Sequence, residues 1–429
     1  MLKLPERLRR AAGNKKVRRA AKATTVIAAA ALGVLLGIFL LTYNFVTIRA
    51  DYTYSTARTT FGEGASRHSV VAVYQNKSET LVSVESSYKV VDGKDFLLED
   101  YLRYDGETGK LLEDRTDELP TPQVTLEMHM SDKVYTATAL GSGISGIGEY
   151  EYTVTTDFRF ADTRRQEAVY LSVNGEGLKR IALQYTAGQE PVKKQVQLAG
   201  EEETEVVITP LSNDGQDFVV EYAQPQQEGW EDLYLTDLFA VSEDYAAAQP
   251  TARRLCFSDG AMRWAYHLQD AETGRLVTRL DYGGYSVAAR AEKPRETTLP
   301  NPEDGQTIQL DDRELAVGPA SVRLQSVYRE GPYVYIKLQG ESDWGPVTGL
   351  IAAEKTADDA LYQKLQEGQI LTAGERGLLS RGYISDFDTM TYAVRAEPGE
   401  QLTLLIDTAL VQRTCPGWIE IAAARSAEQ

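Results

Sequence analysis

Residues 149–160 read EYEYTVTTDFRF. The even positions carry Tyr150, Tyr152, Val154, Thr156, Phe158 and Phe160, while the odd positions carry only charged residues and threonine. A repeat of two is the side-chain period of a β-strand, so this segment has one face to bury and one to leave wet. The same alternation runs through VVAVYQ (70–75), TLVSVESSYKVV (80–91), QVTLEMHM (123–130), VYTATAL (134–140), AVYLSVN (168–174), EVVITPL (205–211) and FVVEY (218–222). Turn-forming DGKD, DGETG, NGEG, NDGQD and DAETG lie between such segments. Strands rich in Val, Thr and Tyr at a spacing of roughly 10 residues predict an all-β region of stacked β-sandwiches, with a β-propeller over 65–292 as the alternative.

The propeller alternative rests on an internal echo. Tyr101-LRY-Asp105-GETGKL and Tyr266-HLQ-Asp270-AETGRL share a D-x-E-T-G turn. That turn resembles the blade-closing repeat of quinoprotein-like propellers, although the tryptophan expected after it is missing both times. The resemblance implies blades of about 41 residues.

A stretch with three prolines, KPRETTLPNPEDG (293–305), reads as a linker. Strands resume after it, and 306–425 has the size of one immunoglobulin-like sandwich. One helix is expected inside that sandwich, near 357–367. Thr356 and Asp359 make a capping-box-like start, Ala360, Leu361 and Leu365 form the apolar stripe, and Gly368 supplies the stop.

The first 48 residues differ in kind. Residues 1–22 hold Lys3, Arg7, Arg9, Arg10, Lys15, Lys16, Arg18, Arg19 and Lys22 against one acid, Glu6. Residues 23–48 carry no charge, and Val26 to Leu41 reads VIAAAALGVLLGIFLL. At about 1.5 Å per residue this uncharged run spans a hydrocarbon core of roughly 30 Å as a helix. The basic flank assigns residues 1–22 to the cytoplasm and the bulk of the chain to the outside of the membrane. A cleaved signal peptide would have a shorter apolar region and an A-x-A-like site, and TYNFVTIRADY after the run offers none. The nine basic residues suit anionic lipid headgroups. Ala29, Gly33 and Gly37 form a small-residue step through which two such helices would pack as a homodimer.

From Asp51 onward there are 35 basic and 62 acidic residues, a net charge of −27. That surface repels phosphate backbones and excludes nucleic acid as a partner. Two cysteines, Cys256 and Cys415, are too few for a disulfide framework.

Known catalytic patterns fail on context. Gly141, Gly143 and Gly146 match G-x-G-x-x-G, but a strand follows where a dinucleotide site needs a helix. Ser86-Ser-Tyr-Lys89 matches S-x-x-K inside an alternating strand, without its companion motifs. His68, His129 and His267 show no ligand or triad spacing, and no cofactor or metal is expected. The acids cluster as Glu99-Asp100, Glu201-Glu202-Glu203 and Asp311-Asp312, which read as solvated loops. Trp230, Trp264, Trp344 and Trp418 are core residues by default, or else furnish a sugar- or peptide-binding face.

In topology and strand pattern the whole chain resembles bacterial membrane-anchored proteins with immunoglobulin-like outer domains, including those of anti-sigma-type sensors. It departs from the sensors in its 22-residue tail, which lacks room for a sigma-factor-binding domain. The resemblance implies a single-pass cell-membrane protein with a non-enzymatic binding or sensory ectodomain for an envelope glycan or protein. The alternative is an extracytoplasmic carboxylate-dependent hydrolase acting on envelope glycans.

Overall fold

The computed structural model describes residues 52–421, except 63–65, 90–101, 105–110, 115–123, 131–132, 148–150, 186–190, 199–202, 213–214, 243–246, 269–276, 357, 370, 372–378, 380–382, 387–388 and 400. The segments read as tail and anchor (1–48), and both D-x-E-T-G stretches, lie outside the described residues. The described residues belong to one compact unit. Strands make up 71% of the described residues and helix 3%, which settles the class as all-β, in several antiparallel sheets with no closed barrel. Among the described residues, no helix is long and apolar enough to cross a membrane.

The opening stretch behaves as its alternation demands. Glu151–Phe160 is a strand between Thr80–Lys89 and Thr138–Ile147, in a sheet of seven that also holds Gln184–Tyr185, Thr53–Ser55, Ser66–Gln75 and Thr59–Phe61. Tyr152, Val154, Phe158 and Phe160 are buried, as the even positions should be. A four-stranded sheet, Glu176–Ala182, Ala168–Val173, Leu126–Met130 and Lys133–Thr136, covers one face. Phe61, Val82, Phe158 and Phe160 meet Leu126, Met128, Leu171 and Ile181 there in one core. The hairpin at Asn174-Gly175 carries both residues at positive φ (52° and 74°), the two-residue turn that Asn-Gly favours.

Within that core His68 is 5% exposed. Its Nε2 lies 3.1 Å from the Asn174 amide nitrogen, which can only donate, so Nε2 accepts. The ring proton therefore sits on Nδ1 and is donated to Ser86 Oγ at 2.8 Å. Burial holds the imidazole below its ordinary value of 6.5, against the opposing charge of Glu176. A base depressed in the folded state contributes stability that is complete above the unfolded value and is lost as pH falls toward the folded one. Thermal unfolding is expected to show stability falling as pH drops below about 6.5, and His68→Gln is expected to flatten that slope.

The opposite face of the seven-stranded sheet meets a five-stranded one, Val192–Gln197, Glu203–Pro210, Asp217–Tyr222, Met262–His267 and Thr251–Arg254. Tyr54, Ala72, Tyr74 and Leu81 pack there on Leu211, Val219, Leu255, Phe257 and Ala265. The largest sheet has eleven strands, with Val277–Leu299 and Leu402–Glu420 as its spine. Ile208, Phe218 and Tyr222 of the five-stranded sheet belong to the same core as Leu280, Tyr285, Ile336 and Ile406 of the large one. The described sheets thus number seven, four, five and eleven strands, with a two-stranded Leu102–Tyr104 and Leu111–Asp114 ribbon beside them. They do not repeat as the equal four-stranded blades that a propeller requires.

The proline stretch departs from the linker reading. Residues 293–299 are the last seven of Val277–Leu299, and the strand stays paired to Leu402–Glu420 there, from Arg295↔Ile406 to Leu299↔Leu402. The ladder skips from Arg290↔Thr408 to Arg295↔Ile406, and Pro294, which has no N–H to donate, falls in that irregularity. The segment read as a separate sandwich therefore shares a sheet with the chain before it. Its helix is Asp359–Gln366, with Tyr362 and Leu365 buried and Gly368 at φ 75° ending it. Asp358, not Thr356, takes the N-cap position, and its Oδ2 accepts the Glu354 amide at 2.9 Å.

Candidate functional site

Between the seven- and five-stranded sheets lies a cavity of about 170 Å³, whose lining includes Arg58, Tyr74, Glu85, Thr251, Arg253 and His267. Backbone register places each of them. Glu85 stands opposite Ser69 on one side and Thr155 on the other, in the middle of the seven-stranded sheet. Asp217, His267 and Thr251 form one row across three strands of the five-stranded sheet. Arg58 follows the first strand of the unit, and Arg253 comes from the edge strand Thr251–Arg254.

Glu85 bridges the two sheets. Its Oε2 lies 2.9 Å from Arg58 and its Oε1 3.5 Å from Arg253. Both carboxylate oxygens are thus engaged by guanidinium groups. Asp217 Oδ1 lies 2.7 Å from His267 Nδ1, which fixes Nδ1 as the donor and leaves Nε2 as the ring's acceptor when the imidazole is neutral. Burial, and then the charge of Asp217, push the Tyr74 phenol far above its ordinary value, so it stays a neutral donor. Behind Arg253, Asp157 accepts the Ser83 hydroxyl at 2.5 Å. Burial raises the Asp157 carboxyl, with the Ser83 bond and the Arg253 charge working against it. Glu79 closes the same seam, accepting the Ser258 amide at 2.8 Å with Arg159 at 3.8 Å. Burial raises the Cys256 thiol, which disfavours its thiolate. Cys256 and Cys415 are both free.

Chemically, the cavity is lined by one carboxylate paired with two cations, the His267 imidazole, whose Nδ1 is bonded to Asp217 outside the lining, and two threonine hydroxyls, Thr56 and Thr251. A retaining or inverting glycosidase needs two carboxyl groups facing each other across the bond to be cut. Glu85 has no such counterpart among the lining residues. No protein-family model matches the chain. No curated protein matches it either. A solved structure described as a conserved domain protein from Bacillus anthracis aligns at 10% identity over 57% of this chain and 81% of its own, with a TM-score of 0.24. That likeness is too low to carry an argument about fold or function.

The residues singled out in the sequence scatter. Lys3, Arg7, Arg9, Arg10, Lys15, Lys16, Arg18, Arg19, Lys22, Ala29, Gly33 and Gly37 lie outside the described residues. Gly141, Gly143 and Gly146 sit on the strand Thr138–Ile147, paired to Asp157, Thr155 and Thr153. Ser86 is likewise in a strand, bonded to His68. His129 is half-buried, 3.4 Å from Glu127. Among described residues no group of three His, Cys, Asp or Glu is placed to hold a metal ion. Trp230 and Trp344 are buried with ring centroids 5.7 Å apart, and Trp264 packs on Tyr234 at 5.3 Å. Trp418 alone of the four is exposed. Nothing in the sequence marked Arg58, Glu85, Asp217 or Arg253. Glu85, Asp217 and Arg253 come from separate strands and Arg58 from the connection after Thr53–Ser55, and an ordinary polar position on the wet phase of an alternating strand looks the same whether or not another sheet covers it.

Proposed function

We propose that the chain is a single-pass, membrane-anchored protein whose stacked β-sandwich ectodomain is an extracytoplasmic binding or sensory module. The observation that favours binding over hydrolysis is the state of Glu85, whose two oxygens are held by Arg58 and Arg253 at the cavity between the two sheets. A carboxylate so engaged is a structural clamp between sheets, not a free acid or base. The anchor rests on the 26 uncharged residues 23–48 and the nine basic side chains before them. In that arrangement the basic tail lies on anionic lipid and Ala29, Gly33 and Gly37 offer a homodimer contact.

The test is protease treatment of intact cells expressing the chain with a tag at each end. Loss of the C-terminal tag with retention of the N-terminal one is the expected result. Protection of both tags, or release of a tagged ectodomain into the medium without protease, would overturn the anchored reading.

A further inference from the structure

Phe239, Asp281 and Trp418 stand in one row across three neighbouring strands of the large sheet, Phe239 opposite Asp281 and Asp281 opposite Trp418. Directly opposed residues share a face. The flanking residues Ala240, Leu280 and Ile419 are buried in the core, so this row points outward. Trp418 is 58% exposed and Phe239 39%, an uncommon placement for two large aromatics on one sheet face. Between them Asp281 is locked to Arg279, Nε to Oδ1 at 2.6 Å and Nη2 to Oδ2 at 2.9 Å. The same guanidinium lies 6.0 Å from the Trp418 ring centre, which steadies the indole at the surface.

From this row we infer a binding platform for a neutral, extended β-1,4-linked glycan. The inference rests on the binding reading above and gives it a ligand class. Three features carry it. Exposed aromatic side chains on one sheet face offer apolar planes to the C–H faces of pyranose rings, and two strand spacings separate them by about 10 Å. That matches the repeat of alternate sugars in a β-1,4 chain, which present the same face to one side. The Arg279–Asp281 pair between the rings supplies both donors and acceptors for vicinal hydroxyls without net charge. The net charge of −27 from Asp51 onward repels polyanionic polymers, a penalty that a neutral chain does not meet.

The experiment uses the full chain in micelles of a detergent without a sugar headgroup, titrated with chitohexaose and cellohexaose. Tryptophan fluorescence and calorimetry are the readouts. Saturable binding of at least one hexaose is expected, weakened at least tenfold in Trp418→Ala and in Phe239→Ala and unchanged in Tyr170→Ala, an exposed aromatic on a different sheet. Trp418→Gln and a melting curve for every variant separate lost affinity from lost fold. Absence of binding to both hexaoses at millimolar concentration overturns the inference, as does full affinity in the folded Trp418 variants. Protease accessibility of the C-terminal tag is independent of either sugar, so failure here is distinct from failure of the anchored reading.

Discussion

Arg329→Met is expected to destabilise the compact unit by roughly 3 to 5 kcal/mol, read as a lowered midpoint in denaturant or thermal unfolding. Arg329 is completely buried, on the strand Ala320–Glu330. Among the described residues no carboxylate is bonded to it. Its Nε donates to the Pro302 carbonyl at 2.8 Å, and its Nη1 donates to those of Ala396 at 2.8 Å and Gly331 at 3.2 Å. Its Nη2 donates to Asn301 Oδ1 at 2.5 Å. One guanidinium thus ties the 301–302 segment, the Gly331 turn and the end of Thr389–Arg395 together. Methionine has the volume but none of the donors, so four acceptors lose their partner at once. Lysine keeps the charge but not the planar fork, and Arg329→Lys is expected to recover only part of the loss. An unfolding midpoint for Arg329→Met within error of the parent would show that solvent replaces those bonds freely.

Gly284→Ala is expected to cost about 3 kcal/mol or more, because nothing flexible stands in the way of the added methyl. A Cβ at Gly284 would lie 2.1 Å from the Arg413 carbonyl oxygen and 3.2 Å from the Thr414 Cα, both backbone atoms of the neighbouring strand. Gly284 pairs with Thr414 in the spine of the large sheet, just where the ladder shifts register after Tyr282. Accommodating alanine requires the two longest strands to move apart at their middle. Gly305→Ala meets no atom within 4 Å, although its φ of 76° still disfavours alanine. It should cost only about 1 kcal/mol, through backbone strain alone. Comparing the two by chemical denaturation separates steric clash from conformational strain. Equal losses would mean that the strand spacing at Gly284 relaxes without cost.

The wrong inference about 293–305 shows why proline is weak evidence for a boundary. Pro294 lacks a donor, but a ladder can absorb one such residue in a bulge, and here it does so between Arg290 and Arg295. Arg329 shows what alternation alone misses: counted in twos from the buried Val322 and Leu324 it falls on the wet face with Arg323, and only the register shift between Leu324 and Ser326 turns Val327 and Arg329 inward.

By itself, the sequence determined what depends on neighbours a few residues apart. Period-two alternation specified strands and their buried faces, Asn174-Gly175 specified a tight hairpin, and Gly368 specified a helix end. The tertiary structure alone decided what depends on sheet order and register. It put Val277–Leu299 beside Leu402–Glu420, set Glu85 against Arg253 and lined up Phe239, Asp281 and Trp418 across three strands. The reason is physical. Strand pairing satisfies the same backbone hydrogen bonds with any partner, so the choice among partners is made by side-chain packing between segments tens to hundreds of residues apart.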